Sequence, residues 1–413
     1  MARAVPVPVR QALLRRWQRG QTLAEIAHAL MLPRRTVRRL LHHLRDARYA
    51  EEALAPGYQR CGWHRPWPNA ELFHAALEMR RQHGGWGATL IRIMLQERWP
   101  RQPLPSTRTL QRWFTRAGLG PTPKGRHPQT HTQRACQPHE VWQMDAVERL
   151  PLRPGCPEVS WLRITDEFTG AILHTKVFGS GSWSQVGEVA VQTELRQAFT
   201  RWGRPQRLRV DNGHPWGSKG DLPTQLALWI LGLEVGVIWN PPRQPKKNAV
   251  VERTQGVSEQ WAESQTCASA AELQARLDQL DRIQREHYPS AAGSRAQRYP
   301  QLAYSGRRYT QQWEVGQWRL EPVLQCLAEY TVPRRVDKNG EVSLYDRGHW
   351  VGKPWVGQLI YVTVDPRTRE WVYQEEDGRV IRRQAATDLT ADRITGMQVA
   401  RHRGTHGKTQ RPH

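Results

Sequence analysis

"VWQMDAVERL", residues 141–150, changes the texture of the chain. Upstream, apolar residues recur at helical spacing; here the run is β-like and closes on the Pro- and Gly-bearing stretch 151–157. Two further β runs follow, "WLRITDEF" (161–168) and "AILHTKVF" (171–178), divided by Thr169-Gly170. A helical stretch over 185–202 precedes "RLRVDNG" (207–213), and a second near 222–231 precedes "VGVIWN" (235–240). A helix opening near Asn248 completes the set. Three meandering strands and then strand–helix alternation predict a mixed sheet with helices on both faces, an α/β core over 139–300.

Within that core Asp145 and Asp211 interrupt or end buried-looking strands. An aspartate there costs propensity and desolvation unless something pairs with it, and a divalent cation supplies such pairing. Glu252 is the third carboxylate. It lies one turn into the helix, where Asn248, Glu252 and Gln255 share a face. Just before it, "NPPRQPKKNAVVER" (240–253) places Arg243, Lys246, Lys247 and Arg253 around a loop stiffened by Pro241, Pro242 and Pro245. Those cations suit phosphates, and a lone salt-bridged glutamate is the plainer alternative.

Nearby acids have plainer readings. Asp166 and Glu167 end a strand at a turn, where an aspartate commonly bonds nearby backbone. Glu148 falls on the opposite sheet face from Asp145 in an unbroken strand. Gly213 permits close backbone approach or simply ends its strand.

Taken together, "WQMD", "RVDNG" and the pattern of Pro242, Pro245, Asn248, Val251, Glu252 and Arg253 resemble the catalytic core of the integrase/transposase superfamily, the D,D,E recombinases with an RNase H-like fold. With its flanks the chain is similar to bacterial insertion-sequence transposases. The resemblance implies that Asp145, Asp211 and Glu252 hold two Mg²⁺ ions, with Mn²⁺ able to substitute. It implies as nucleophiles water for end cleavage and a DNA 3′-OH for joining, and a homo-oligomer acting on double-stranded DNA; an accessory ATPase is left open. Mg²⁺ needs few protein ligands because it keeps waters and takes phosphate oxygens. Forty residues stand between Asp211 and Glu252, several more than is common in that family. The stretch 214–224 is expected to take up the excess as a surface loop. No His-His-Cys-Cys zinc pattern precedes the core.

The flanks fit a DNA-acting protein. Over 1–50, Thr22 and Glu25 form a capping-box pattern, and Leu23, Ile26, Ala27 and Leu30 make one stripe. A third helix turns Val37, Leu40, Leu41 and Leu44 inward and Arg34, Arg35, Thr36, Arg38 and Arg39 outward, which is helix-turn-helix spacing with that helix as reader. A plain bundle with a solvated basic face is the alternative. After a linker at 51–68, a second such unit spans 69–120, with Ser106 as N-cap and Arg108, Arg112 and Arg116 projecting. A basic linker follows at 121–138. Beyond a linker at 301–312, short strands and turn residues over 313–390 predict a small β-barrel, and 391–413 reads as a basic disordered tail.

Bulk properties agree. The 413 residues suit two to four domains, and a formal charge of +23 points to a polyanion, nucleic acid by default. No stretch reaches the ~20 apolar residues of a spanning helix, and residues 1–11 lack a signal-peptide core, so a cytoplasmic, nucleoid-associated protein without a membrane is expected. Cys61, Cys136, Cys156, Cys267 and Cys326 stand apart with no CxxC pair, indicating neither a disulfide framework nor structural zinc. The full set predicts a DNA transposase that binds the terminal inverted repeats of its element. The alternatives are a DNA-binding regulator with an inactive core, or a structure-selective nuclease of the same fold.

Overall fold

Alternation between sheet-forming and helix-forming runs is realised in the computed structural model, which describes residues 5–55, 70–120, 134–211, 213, 216, 222–240, 248–290 and 293–400. Two units emerge, 1–73 and 74–413.

The first unit contains α1 (Val7–Gln18), α2 (Leu23–Ala29) and α3 (Arg34–Asp46). The Thr22 side chain accepts from Glu25 N–H while the Glu25 carboxylate accepts from Thr22 N–H, the reciprocal cap expected. Leu13, Ile26, Val37, Leu41 and Leu44 form its core. Arg34, Arg35, Arg38 and Arg39 are exposed, but Thr36 is half-buried, because it adjoins Val37 on the inward side of α3. The expected linker at 51–68 begins with a 3₁₀ turn over Glu51–Leu54, which buries Leu54; residues 56–69 lie outside the described residues.

Helix α4 (Ala70–Gln82) spans the division, and α5 (Ala88–Arg98) and α6 (Thr107–Arg116) belong to the second unit. Ser106 caps α6 by accepting from Thr109 N–H at 3.2 Å, Leu110, Trp113 and Phe114 are buried, and Arg108, Arg112 and Arg116 are exposed. Ala135, in the expected linker 121–138, is buried, while 121–133 lie outside the described residues.

The core sheet comprises β1 (Val141–Leu150), β2 (Val159–Asp166), β3 (Ile172–Phe178), β4 (Arg207–Val210) and β5 (Gly236–Trp239). Its order is β3-β2-β1-β4-β5, with β1, β2 and β3 antiparallel and β4 and β5 parallel to β1. Helices α7 (Glu188–Trp202) and α8 (Gln225–Gly232) supply the alternation, and α9 (Ala249–Ala262) and α10 (Ala270–Glu286) follow. This is the mixed α/β arrangement that the order of strand and helix runs predicts. Side chains alternate along each strand. Trp142, Met144, Leu162 and Ile164 therefore enter one apolar core with Leu195 and Phe199 of α7, while α9 packs across β1 and β2, and α10 against β3. Strand β1 is not unbroken, since its register with β2 shifts between Val147 and Leu150, and Glu148 Oε1 accepts from Trp183 N–H at 2.6 Å.

The helical unit docks on the end of α9. His83 Nδ1 lies 2.7 Å from Glu263 Oε2, Trp86 Nε1 donates to Trp261 O at 2.9 Å, and Gly85 sits so close that a Cβ would come within 2.1 Å of Gln260 O.

Downstream, the expected boundaries need correction. The expected linker 301–312 buries Leu302 and Tyr309, and α11 (Arg295–Arg298), α12 (Gln311–Gln317) and α13 (Glu321–Ala328) precede any strand. The strands β6 (Val332–Arg335), β7 (Glu341–Leu344), β8 (Arg347–Trp350), β9 (Leu359–Asp365), β10 (Glu370–Gln374) and β11 (Val380–Ala385) form a four-stranded sheet, β11-β10-β9-β6, and a β7-β8 hairpin rather than one closed ladder. Their apolar face shares one core with α8 and the main sheet. Helix α14 (Ala391–Thr395) then folds back, and Ile394, Met397 and Val399 are buried. Apolar residues placed among the charges thus order 391–400, a stretch expected to be a disordered tail; 401–413 lie outside the described residues.

One buried acid joins these layers. Glu314 of α12 accepts from Arg196 Nε and Nη2 at 3.0 and 2.6 Å, from Trp229 Nε1 at 2.9 Å, and from the Tyr309 hydroxyl. Burial alone would raise its pKa, but these donors prevail and hold it below the usual value. Glu314→Gln is expected to cost about 3 kcal/mol in urea denaturation at pH 7. A depressed folded pKa contributes stability above the unfolded value, so the deficit shrinks as pH falls through the ordinary carboxylate range.

Candidate active site

Three elements present the candidate carboxylates. Asp145 stands mid-way along β1, Asp211 directly follows β4, and Glu252 lies in the first turn of α9. Since β1 and β4 are parallel neighbours and α9 crosses β1, the topology itself draws the three together.

Electrostatics report the approach. Burial, joined by the charges of Asp211 and Glu252, pushes the Asp145 carboxyl up to about 7, while the Ala146 N–H and the Gln255 amide pull the other way. Asp145 thus feels both of the other acids. Glu252 is exposed at the rim, yet local desolvation raises its pKa. Asp211 Oδ1 accepts from Gly213 N–H at 3.0 Å and from the indole N–H of Trp216. A Cβ on Gly213 would stand 3.0 Å from Asp211 Oδ2, so this glycine leaves room for the carboxylate. Within 214–224, expected as a surface loop, Trp216 and Leu222 are buried in the main core, while 214, 215 and 217–221 lie outside the described residues. Trp216 O also accepts from Trp239 Nε1 at 3.3 Å on β5.

Along α9, Asn248 and Gln255 are buried and Glu252 is exposed, so the face that they share turns inward at both ends. Arg253 is exposed beside the site, while Arg243, Lys246 and Lys247 lie outside the described residues. Asp166 is fully buried and accepts from Thr169 N–H, Thr169 Oγ1 and His139 N–H at 2.7 to 2.8 Å, a structural turn acid.

Among the described residues, no three His, Cys, Asp or Glu side chains are gathered closely enough to enclose one ion unaided. The donor set still suits a hard cation that takes most of its shell from water and phosphate, because carboxylate oxygens are hard ligands and such an ion needs few of them from the protein. Sequence reasoning missed Trp216, which donates to Asp211, and a polar network of Gln143, Glu167 and Arg209 on the neighbouring strand positions. Gln143 and Arg209 were findable by period, each lying two residues before a strand-borne aspartate and hence on its face.

No family model matches the chain. Among solved structures it is similar to a chain of the simian T-cell lymphotropic virus intasome in complex with PP2A regulatory subunit B56 gamma. That match has 17% identity and a TM-score of 0.33, over 54% of this chain and 73% of that one. It is also similar to the catalytic core domain of BIV integrase, at 15% identity and a TM-score of 0.30, over 39% of this chain and 94% of that one.

Proposed function

We propose that the protein is a metal-dependent DNA transposase or integrase, which binds the terminal inverted repeats of its mobile element and cuts and joins DNA at Asp145, Asp211 and Glu252. The observation that supports this reading is the topology, with Asp145 on β1, Asp211 just after its parallel neighbour β4 and Glu252 on α9 against β1, near enough that both other charges add to the burial that raises the Asp145 pKa. Those three side chains would hold two Mg²⁺ ions, and Mn²⁺ would substitute. When bound, the ions supply Lewis acidity to the attacking and leaving oxygens of a phosphodiester.

The remaining steps belong to the chain. Trp216 and Gly213 orient Asp211, and Gln255 lies against Asp145. The cationic segment before α9, with Arg253, neutralises the phosphates drawn to an acidic centre. Exposed arginines of α3 (Arg34, Arg35, Arg38, Arg39) and α6 (Arg108, Arg112, Arg116) bind the duplex, one helix or both acting as reader. Two ends must meet for recombination, so a homo-oligomer on DNA is part of the proposal. Among the described residues no helix is long and apolar enough to cross a membrane.

Purified protein, linear DNA ending in the inverted repeats that flank the gene, a supercoiled plasmid and Mg²⁺ form the direct assay. Joined products are expected, abolished by EDTA and by Glu252→Gln. Joining at the wild-type rate by Glu252→Gln would remove that residue from the mechanism, and cleavage without joining under all conditions would favour a nuclease.

A further inference from the structure

Glu167, at the corner after β2, is 3% exposed and meets three donors. Its Oε2 accepts from Gln143 Nε2 and from Arg209 Nε, each at 2.9 Å, and its Oε1 accepts from Ala135 N–H at 3.1 Å. The Gln143 side-chain oxygen in turn accepts from the backbone N–H of Val251 at 3.0 Å. These partners occupy telling positions. Gln143 lies two residues before Asp145 on β1, Arg209 two before Asp211 on β4, and Val251 one before Glu252 in α9. Gln143 and Arg209 are also direct partners in the parallel β1–β4 register.

Gln143 and Asp145, two apart on β1, share a face of the sheet, and the network reaches β4 two residues before Asp211 and α9 one residue before Glu252. The Val251 N–H is one of the amides that the start of a helix leaves without an intrahelical acceptor. Asn248, at the N-cap of α9, makes no side-chain cap bond. Gln143 takes over part of that task, and in doing so fixes the height of α9 above β1. Three acids that repel one another must be held from behind, and a metal site tolerates only about 0.5 Å of looseness.

We propose that Gln143 and Glu167 are positioning residues that set the spacing of Asp145, Asp211 and Glu252, with Arg209 completing the link to β4. The proposal rests on the reading of those carboxylates as a divalent-cation site. Neither residue contacts DNA or the reacting atoms. Their loss loosens cation binding and slows chemistry, and it leaves the affinity for DNA in place.

The test uses the full chain and Mn²⁺ as probe, with binding followed by electron paramagnetic resonance and by titration calorimetry, and melting followed in EDTA. Gln143→Leu and Glu167→Gln are expected to weaken Mn²⁺ binding about tenfold or more. The kcat for joining should fall alongside, while KM for terminal-repeat DNA stays within about twofold. Wild-type Mn²⁺ affinity in both variants overturns the proposal, as does a lowered melting temperature with unaltered Mn²⁺ affinity, which would make the network merely structural. If Gln143→Leu fails to fold, Glu167→Gln, which keeps the shape of the side chain, decides by the same criterion. Asp145→Asn and Glu252→Gln separate the two levels. Should they bind Mn²⁺ like the wild type, the cation site itself falls; should they lose Mn²⁺ while Gln143→Leu and Glu167→Gln keep it, only the positioning role falls.

Discussion

Asp145→Asn is expected to abolish strand joining and, at the same time, to make the metal-free protein more stable at pH 8. The loss of activity follows from removing a carboxylate shared by the whole site: several kcal/mol of transition-state stabilisation corresponds to about 10³-fold in rate. The gain in stability follows from the direction of the Asp145 shift. Its carboxyl titrates near 7 in the fold instead of at the ordinary 3.8, because burial and the neighbouring charges of Asp211 and Glu252 disfavour the anion. A raised folded pKa contributes stability that is complete below the unfolded value and lost as pH rises through about 7. At pH 8 in EDTA the wild type therefore carries an ionised, repelled carboxylate, and the amide does not. Each pKa unit is about 1.4 kcal/mol. Partial exposure of Asp145 leaves solvent screening, so a gain of about 2 kcal/mol is expected in urea denaturation. The gain should shrink as pH falls from 7 toward 4, where the wild-type group is itself neutral, and Mg²⁺ should close the gap by stabilising the wild type alone. An asparagine variant no more stable than wild type at pH 8 would mean that Asp145 is not electrostatically strained, and the acids would then not form a charged cluster. A site that sacrifices stability for function is the general pattern that this case would join.

The sheet was legible because its signals are local. Period-two burial, turn residues at 151–157 and Thr169-Gly170, and aspartates that break otherwise buried strands all act within a few residues of themselves. Asp145 and Asp211 stand out in the sequence for the same reason, since a charge in or at the end of a strand costs propensity and desolvation. What escaped were relations across the fold. Helix α10 has a Ser269 cap and buries Leu273, Leu277, Leu280 and Ile283, a stripe that its helical period could have revealed. Residues 313–328 read as part of a barrel because the strands after Val332 dominate their neighbourhood, yet Thr310 and Pro322 mark the starts of α12 and α13. Trp216 looked like a loop residue among Gly, Pro and Lys; only its bond to Asp211 and its place in the core show it as an anchor. Glu167 read as a turn acid, because nothing in one dimension brings Gln143 and Arg209 to it.

Removing the Asp281 carboxylate is expected to be the most destabilising single change in the core. Arg163 lies on β2 opposite Asp145 in the ladder and is fully buried. It donates to Thr254 O at 3.2 Å and Ser258 Oγ at 2.7 Å on α9, and Nη2 lies 3.5 Å from Asp281 Oδ1 on α10. Asp281 also accepts from Thr175 Oγ1 at 2.5 Å. Burial lowers the pKa of Arg163 and raises that of Asp281, and their mutual attraction only partly opposes both shifts. The pair is therefore a net electrostatic cost that is tolerable only while both members are present. Asp281→Leu strands the guanidinium and should cost about 3–5 kcal/mol in urea denaturation, whereas Arg163→Met with Asp281→Leu should return to within about 1 kcal/mol of wild type. A cheap single variant would show that water or a rotamer change rescues Arg163. The double variant also separates stability from placement. Arg163 is the donor that grips α9 two residues beyond Glu252, so apolar replacements restore burial without that grip. If stability returns and joining does not, the buried pair serves to place the helix that carries the glutamate; if both return, packing alone positions α9, and the charges are dispensable.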